Sequence, residues 1–441
     1  MAMEAYFSSL VDAIERALGT GERFTASFGA EQSDFVRMNR GKVRQPGTVS
    51  QRYLTVRLVK GARHADHTLS LSGDVAADAA AVREAMAGLR GVLVDLADDP
   101  LLLLPSEVRS SRQERLPDLP ASEAVIDEVL RAGAGEDLVG IYAAGPVWRG
   151  FANSEGQRNW HATRTFNLQW SLYHGTDKAV KSAYAGFVWS GTELTQRMAV
   201  ARERLALVAR PPRTLEPGAY RAYLAPSAMD EIAGMLSWGG FSGRMLKTRQ
   251  SPLDRMQDGR MLDPRVCLVE NTEGGVAPAF QAEGFVRPPR VPLIEGGRLV
   301  GSLVSPRTAR EFDLAENGAN GGESPESLTM QGGTLPEADA LAALDTGLAI
   351  GNLWYLNYSD RPACRVTGMT RFATFWVDKG KVVAPVNVLR FDDSVYRMLG
   401  DNLVDLTQET ELILESSTYG SRQLRSQQLP GALVSEMAFT L

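Results

Sequence analysis

The pair Pro211-Pro212, set directly behind a long run of helical periodicity, constrains this chain more than any other feature. Proline has no amide hydrogen and its ring clashes with the preceding turn, so the helix expected over Thr192 to Ala209 must stop there. Arg210 to Pro217 then reads as a boundary between an N-terminal domain, residues 1–212, and a C-terminal domain, residues 218–441. Two domains is also what a chain of 441 residues predicts.

The texture of the sequence changes across that boundary. Before it, Met1 to Gly19 carries Phe7, Leu10, Val11 and Ile14 at amphipathic-helix spacing, which is not the pattern of a signal peptide. Alternation predicts strands over Arg23 to Ala30, Ser33 to Asn39, Val49 to Val59 and His64 to Leu71, with a turn at Asn39-Arg40-Gly41. A helix over Asp74 to Leu96 should cover that sheet, and Ser106 to Leu119 reads as a surface linker. A helix at Ser122 to Ala132 follows, then strands at Leu138 to Trp148, Arg158 to His174 and Val180 to Trp189. Beyond the boundary come a strand at Gly218 to Leu224, a helix at Pro226 to Ser237, and a series of strands and glycine turns running to Leu433–Thr440. The expected class is α+β, a mixed N-terminal half followed by a β-rich C-terminal half.

Composition removes several functions. Lys and Arg number 47 against 53 Asp and Glu, so nothing in the net charge of -6 attracts a phosphate backbone, and nucleic-acid binding is not expected. The most apolar run, Gly91 to Leu104, is interrupted by Asp95, Asp98, Asp99 and Pro100, short of the roughly 20 apolar residues of a membrane span. Cys267 and Cys364 are too few for a disulfide framework, which points to a reducing, cytoplasmic setting.

Three stretches of the second half carry a family likeness. Pro289 to Arg310 is a strand, a turn at Glu295-Gly296-Gly297 and a second strand; Val366-Thr367-Gly368-Met369-Thr370-Arg371 leads into a hairpin and the Ala384-Pro385-Val386 strand; and Leu429 to Thr440 forms a closing strand. Together they resemble the TldD/PmbA family of peptide-processing proteins. In the TldD branch an early helix of the second domain binds zinc through His-Glu-x-x-x-His. The matching helix here places Asp230 and Met235 where the histidines would stand and Glu231 at the glutamate. Catalytic zinc is usually held by imidazole and carboxylate, whereas a thioether suits softer metals. His64, His67, His161 and His174 all precede the boundary, and the region matching the branch's C-terminal cysteine ligand offers Ser416, Ser417 and Tyr419. The resemblance is therefore to the PmbA (TldE) branch. It implies a chain with no cofactor or metal of its own and no confident catalytic residue, paired as a heterodimer with a zinc-bearing TldD-like paralogue around an extended peptide. A self-sufficient peptidase with an unrecognised site, or a homodimeric peptide-binding scaffold, would be the alternatives.

Other constellations have plainer readings. His64 and His67 are three apart on a strand and point to opposite faces, against a shared metal. Cys267 and Cys364 read as idle thiols, Gly239-Gly240-Phe241-Ser242-Gly243 as a flexible loop lacking the phosphate-loop context, and Trp354, Tyr355 and Tyr358 as core and cleft wall.

Overall fold

The computed structural model describes residues 2–175 and 178–440; Met1, the first residue of the expected opening helix, lies outside them. Helix α1 (Met3–Ala17) buries Phe7, Leu10, Val11 and Ile14, the apolar stripe of the sequence. Strands β1 (Glu22–Asn39), β2 (Lys42–Lys60) and β3 (Arg63–Ser70) form an antiparallel meander. β1 is one continuous strand where two were expected: Glu31 and Gln32 interrupt its apolar alternation, yet both pair with β2. Arg40 and Gly41, with φ of 51° and 64°, make the tight β1–β2 turn.

Helix α2 (Val75–Leu93) starts at Asp74, whose side chain caps the Ala77 amide. The buried Asp78 on its inner face accepts from the Tyr6 hydroxyl at 2.6 Å and from the amides of Ser72 and Gly73, so a charge facing α1 is fully partnered. The expected linker contains strand β4 (Ser111–Arg115), four of whose five residues are exposed; it is an edge strand held by parallel pairing to β6, which sequence alternation cannot reveal. Helix α3 (Ser122–Ala132), strands β5 (Asp137–Asn153), β6 (Arg158–His174) and β7 (Lys178–Gly186), and helix α4 (Gly191–Val208) complete this half. Its seven-stranded sheet runs β3-β2-β1-β5-β6-β4, with β7 also on β6.

The remaining strands are β8 (Gly218–Leu224), β9 (Leu268–Glu270), β10 (Val291–Glu295), β11 (Arg298–Leu299), β12 (Ser327–Met330), β13 (Gly347–Asp360), β14 (Arg365–Asp378), β15 (Lys381–Pro385), β16 (Arg390–Ser394), β17 (Leu403–Leu414) and β18 (Ser426–Phe439). With them come helices α5 (Pro226–Ser237), α6 (Gly243–Lys247), α7 (Pro306–Phe312) and α8 (Ala340–Leu344). The second strand expected within Pro289 to Arg310 is only the two residues Arg298–Leu299. The eleven strands make one sheet in which β18, β16, β14, β13 and β8 close on themselves, because β8 pairs both with β13 in parallel and with β18 antiparallel. Closure removes edges from that part of the sheet.

Helices α1 to α4 all cover one face of the first sheet. Even-numbered residues of β6, from Trp160 through Phe166 to Leu172, meet them, while the second half lies over the odd-numbered face. The halves also share a core: Ala373 and Phe375 of β14, 4% and 5% exposed, pack with the cluster that holds α3 and α4 on the first sheet. Among the described residues no helix is long and apolar enough to cross a membrane.

Candidate functional site

The helix singled out by sequence, α5, begins with Pro226 in its first turn, where a missing amide hydrogen costs nothing. It presents two stripes. Ala228, Met229, Ile232 and Leu236 are fully buried and anchor it to the second core. Ser227, Asp230, Glu231 and Gly234 recur at helical spacing on the other side and border the cleft between the two sheets. The part of the cleft against Asp230, Glu231 and Gly234 has a volume of about 270 Å³ and is walled by Gln169 and Lys181 of the first sheet and by Leu414–Ser416 and Arg425–Gln427 around the end of β17 and start of β18.

Electrostatics distinguish the two acids of α5. Burial, followed by the adjacent Glu231, pushes the Asp230 carboxyl up to about 6, with Arg425 and Lys181 opposing and Glu415 adding. Glu231 is raised too, again chiefly by burial, with Lys181 opposing. A carboxyl poised near neutrality in a cleft can hold or release a proton under ordinary conditions.

Met235 stands at the margin of their stripe and borders the same cleft. Five residues after Asp230 is about 140° around a helix, so the position one turn on from Asp230 is Gly234, at which a Cβ would point into open space. Met235 is 7% exposed, packs on the second core as well as bordering the cleft, and its carbonyl accepts from the Tyr358 hydroxyl at 2.6 Å. Ser416 borders the cleft, while Tyr419 is 95% exposed. His64 on β3 contacts Asp99 at 3.1 Å, His67 lies on the same strand, and His161 and His174 lie on β6. Two adjacent carboxylates and a thioether are a poor donor set for zinc. No group of three or more His, Cys, Asp or Glu side chains converges in a metal-holding arrangement among the described residues.

The remaining candidates fall elsewhere. Cys364 is fully buried and its thiol is pushed up to about 12 by burial, unsuited to nucleophilic attack. The Cys267 sulfur accepts from the Gly296 amide at 3.3 Å. The glycine stretch expected to be a flexible loop is a packed corner: a Cβ at Gly240 would stand 2.3 Å from the Leu236 carbonyl oxygen, and Ser242 caps α6 by accepting from the Met245 amide. Trp354 and Tyr355, expected as core and cleft wall, are 44% and 76% exposed; only Tyr358 of the three turns inward.

Sequence reasoning passed over the other wall of the cleft. Every odd-numbered residue of β6 from Asn159 to Ser171 is polar: Asn159, His161, Thr163, Thr165, Asn167, Gln169 and Ser171. Five of them are no more than 9% exposed. Asn167 donates to the Leu414 and Glu415 carbonyls at 3.2 and 3.3 Å, and Arg422 donates to the Thr165 hydroxyl and carbonyl. The alternation of polar and apolar residues from Asn159 to Leu172, broken by Arg164, was the available signal. A polar row buried on a sheet is unusual because each group must find a partner.

Residues 217–441 match the PmbA/TldA metallopeptidase C-terminal domain, just over half of the chain. The chain belongs to the TldD/PmbA family. Solved structures agree on the fold. TldE from Thermococcus kodakarensis superposes with a TM-score of 0.79 at 14% identity, over 99% of this chain and 100% of that one. A protein from Thermotoga maritima described as a candidate modulator of DNA gyrase matches at 0.77 and 14%, and another so described from Bacteroides thetaiotaomicron at 0.78 and 14%, each over the full length of both chains. No curated protein sequence matches this TldD/PmbA chain.

Proposed function

We propose that this TldD/PmbA protein is the metal-free, TldE-like subunit of a peptide-processing heterodimer, with residues 1–212 and 218–441 as its two domains. It holds an extended peptide in the cleft between its sheets, and a zinc-bearing TldD-like paralogue supplies the hydrolytic centre in the cytoplasm. The observation that supports this reading is the face of α5: Asp230 and Met235, which stand where the family's zinc branch carries histidines, border the cleft together with Glu231. The cleft suits a peptide strand. β7 pairs with β6 and β17 with β18, and residues 181–185 and 411–414 of these two outer strands wall the same cavity. Main-chain groups along such edges bind a peptide with little regard to its side chains.

The raised Asp230 carboxyl supports a second reading, a self-sufficient hydrolase using Asp230 as proton carrier. Metal content and cleavage of a casein-derived peptide mixture, measured on the purified chain alone and co-expressed with a His-Glu-x-x-x-His paralogue from the same genome, decide between them. The subunit reading expects no stoichiometric zinc and no cleavage by the chain alone, and cleavage by the pair. Cleavage by the chain alone that disappears in Asp230→Asn would overturn it.

A further inference from the structure

Along the polar face of the first sheet from the α5 cleft lies a second cavity, about 530 Å³, between β1 and β5 and the loops of the second half. Arg425 borders both spaces. Its floor carries Arg149 of β5, in register with Gly29 of β1, and the guanidinium lies over the bare main chain there: a Cβ at Gly29 would stand 3.7 Å from one of its nitrogens.

The charges around this cavity do not balance. Arg149, Arg287 and Arg425 line it against the single carboxylate of Glu326. Glu326 is engaged by Arg287 and accepts from Asn320, and Arg425 has Glu415 at 4.0 Å. Arg149 donates to the carbonyl of its own neighbour Trp148 at 2.9 Å, while Glu31 and Glu326 act on it only through space. Glu31 is already engaged by Ser33, Gln51 and the Arg422 amide. His161, in register beside Arg149 and 3% exposed, is neutral or cationic as an imidazole and supplies no counter-charge. Burial draws the Arg149 guanidinium below its ordinary value. An unpaired cation taken out of water is costly unless an anion joins it. The cavity is within the range of about 300–1,000 Å³ of small-ligand sites. One free guanidinium matches one planar monoanion, since its donor fork fits both oxygens of a carboxylate.

We propose that Arg149 anchors the C-terminal carboxylate of a peptide whose preceding residues extend past Arg425 into the α5 cleft. This rests on the peptide-holding role above and adds a direction and a terminus to it.

The test is fluorescence-polarisation binding to the full chain of one labelled decapeptide in three forms: free acid, C-terminal amide, and an amide whose last residue is glutamate. The free acid should bind about tenfold more tightly than the plain amide, the scale of one charge-assisted hydrogen-bonding pair. Arg149→Gln should erase that ratio and Arg149→Lys should keep part of it, with circular dichroism reporting that each variant is folded. Should Arg149→Gln not fold, the acid-to-amide ratio of the unaltered chain decides alone. Equal binding of acid and amide overturns the anchor while the peptide-holding role stands. A glutamate-ended amide that binds as well as the acid overturns the assignment to the terminus. If no peptide binds but N-acetylglycine raises the melting temperature of the chain and not of Arg149→Gln, the carboxylate site stands and the peptide role falls.

Discussion

Replacing Asp230 with asparagine should make the protein more stable at neutral pH. The side chain keeps its shape but loses a charge that burial and Glu231 oppose. The folded carboxyl is raised from 3.8 to about 6, so the folded state holds its proton more tightly than the unfolded chain. Its contribution is fully favourable below pH 3.8 and is lost as pH rises through 6. Above that, the aspartate is a net burden. A shift of about two pKa units corresponds to about 3 kcal/mol as a ceiling, and water in the cleft reduces this to about 1–2 kcal/mol. Urea unfolding at pH 7.5, followed by far-ultraviolet circular dichroism, should show Asp230→Asn more stable by that amount; at pH 4 the two curves should nearly coincide. A variant that is less stable at pH 7.5, or a difference equal at both pH values, would refute the argument that desolvation sets the state of this carboxyl.

Phe375→Ala should cost about 3–5 kcal/mol and preserve a single unfolding transition in calorimetry, because the ring fills a core shared by both halves. Separate transitions for the two halves would contradict a common core. Gly240→Ala should lower the melting temperature, since its Cβ meets a main-chain oxygen at 2.3 Å, whereas Gly234→Ala, facing open space, should gain up to about 1 kcal/mol from helix propensity. The buried His161 is pushed down to about 4 from 6.5 by burial and the neighbouring Arg149, so its contribution is intact above pH 6.5 and is lost as pH falls to 4, by about 3 kcal/mol. His161→Leu should flatten that part of the stability profile in denaturation measured from pH 7 to 4.

How much of this could be read in advance differs from element to element. α1, α3 and α4 were legible because each carries one apolar stripe that packs on one surface, a local pattern with a local reason. β4, β12 and β17 were not, since their partners lie far away in sequence and their own side chains are too mixed or too short a run to announce a sheet. Of the candidate site, Asp230 and Glu231 were named from the chain, but Lys181 and Arg425, whose charges act on them, and Gln169, which walls the cleft, come from strands and loops that nothing in the motif connects to α5. Trp354 and Tyr355 were assigned inward by residue type, and bulges in β13 turn them out.

By itself the sequence determined where the donor atoms stand along the chain: every histidine precedes Pro211, and two acids sit side by side on α5. It also determined the polar row of β6, because alternation on a strand assigns faces without reference to anything else. Only the tertiary structure decided what that row faces. Burial and long-range charge depend on surfaces brought together across hundreds of residues, and that is what places Arg149 in a cavity and raises the proton affinity of Asp230.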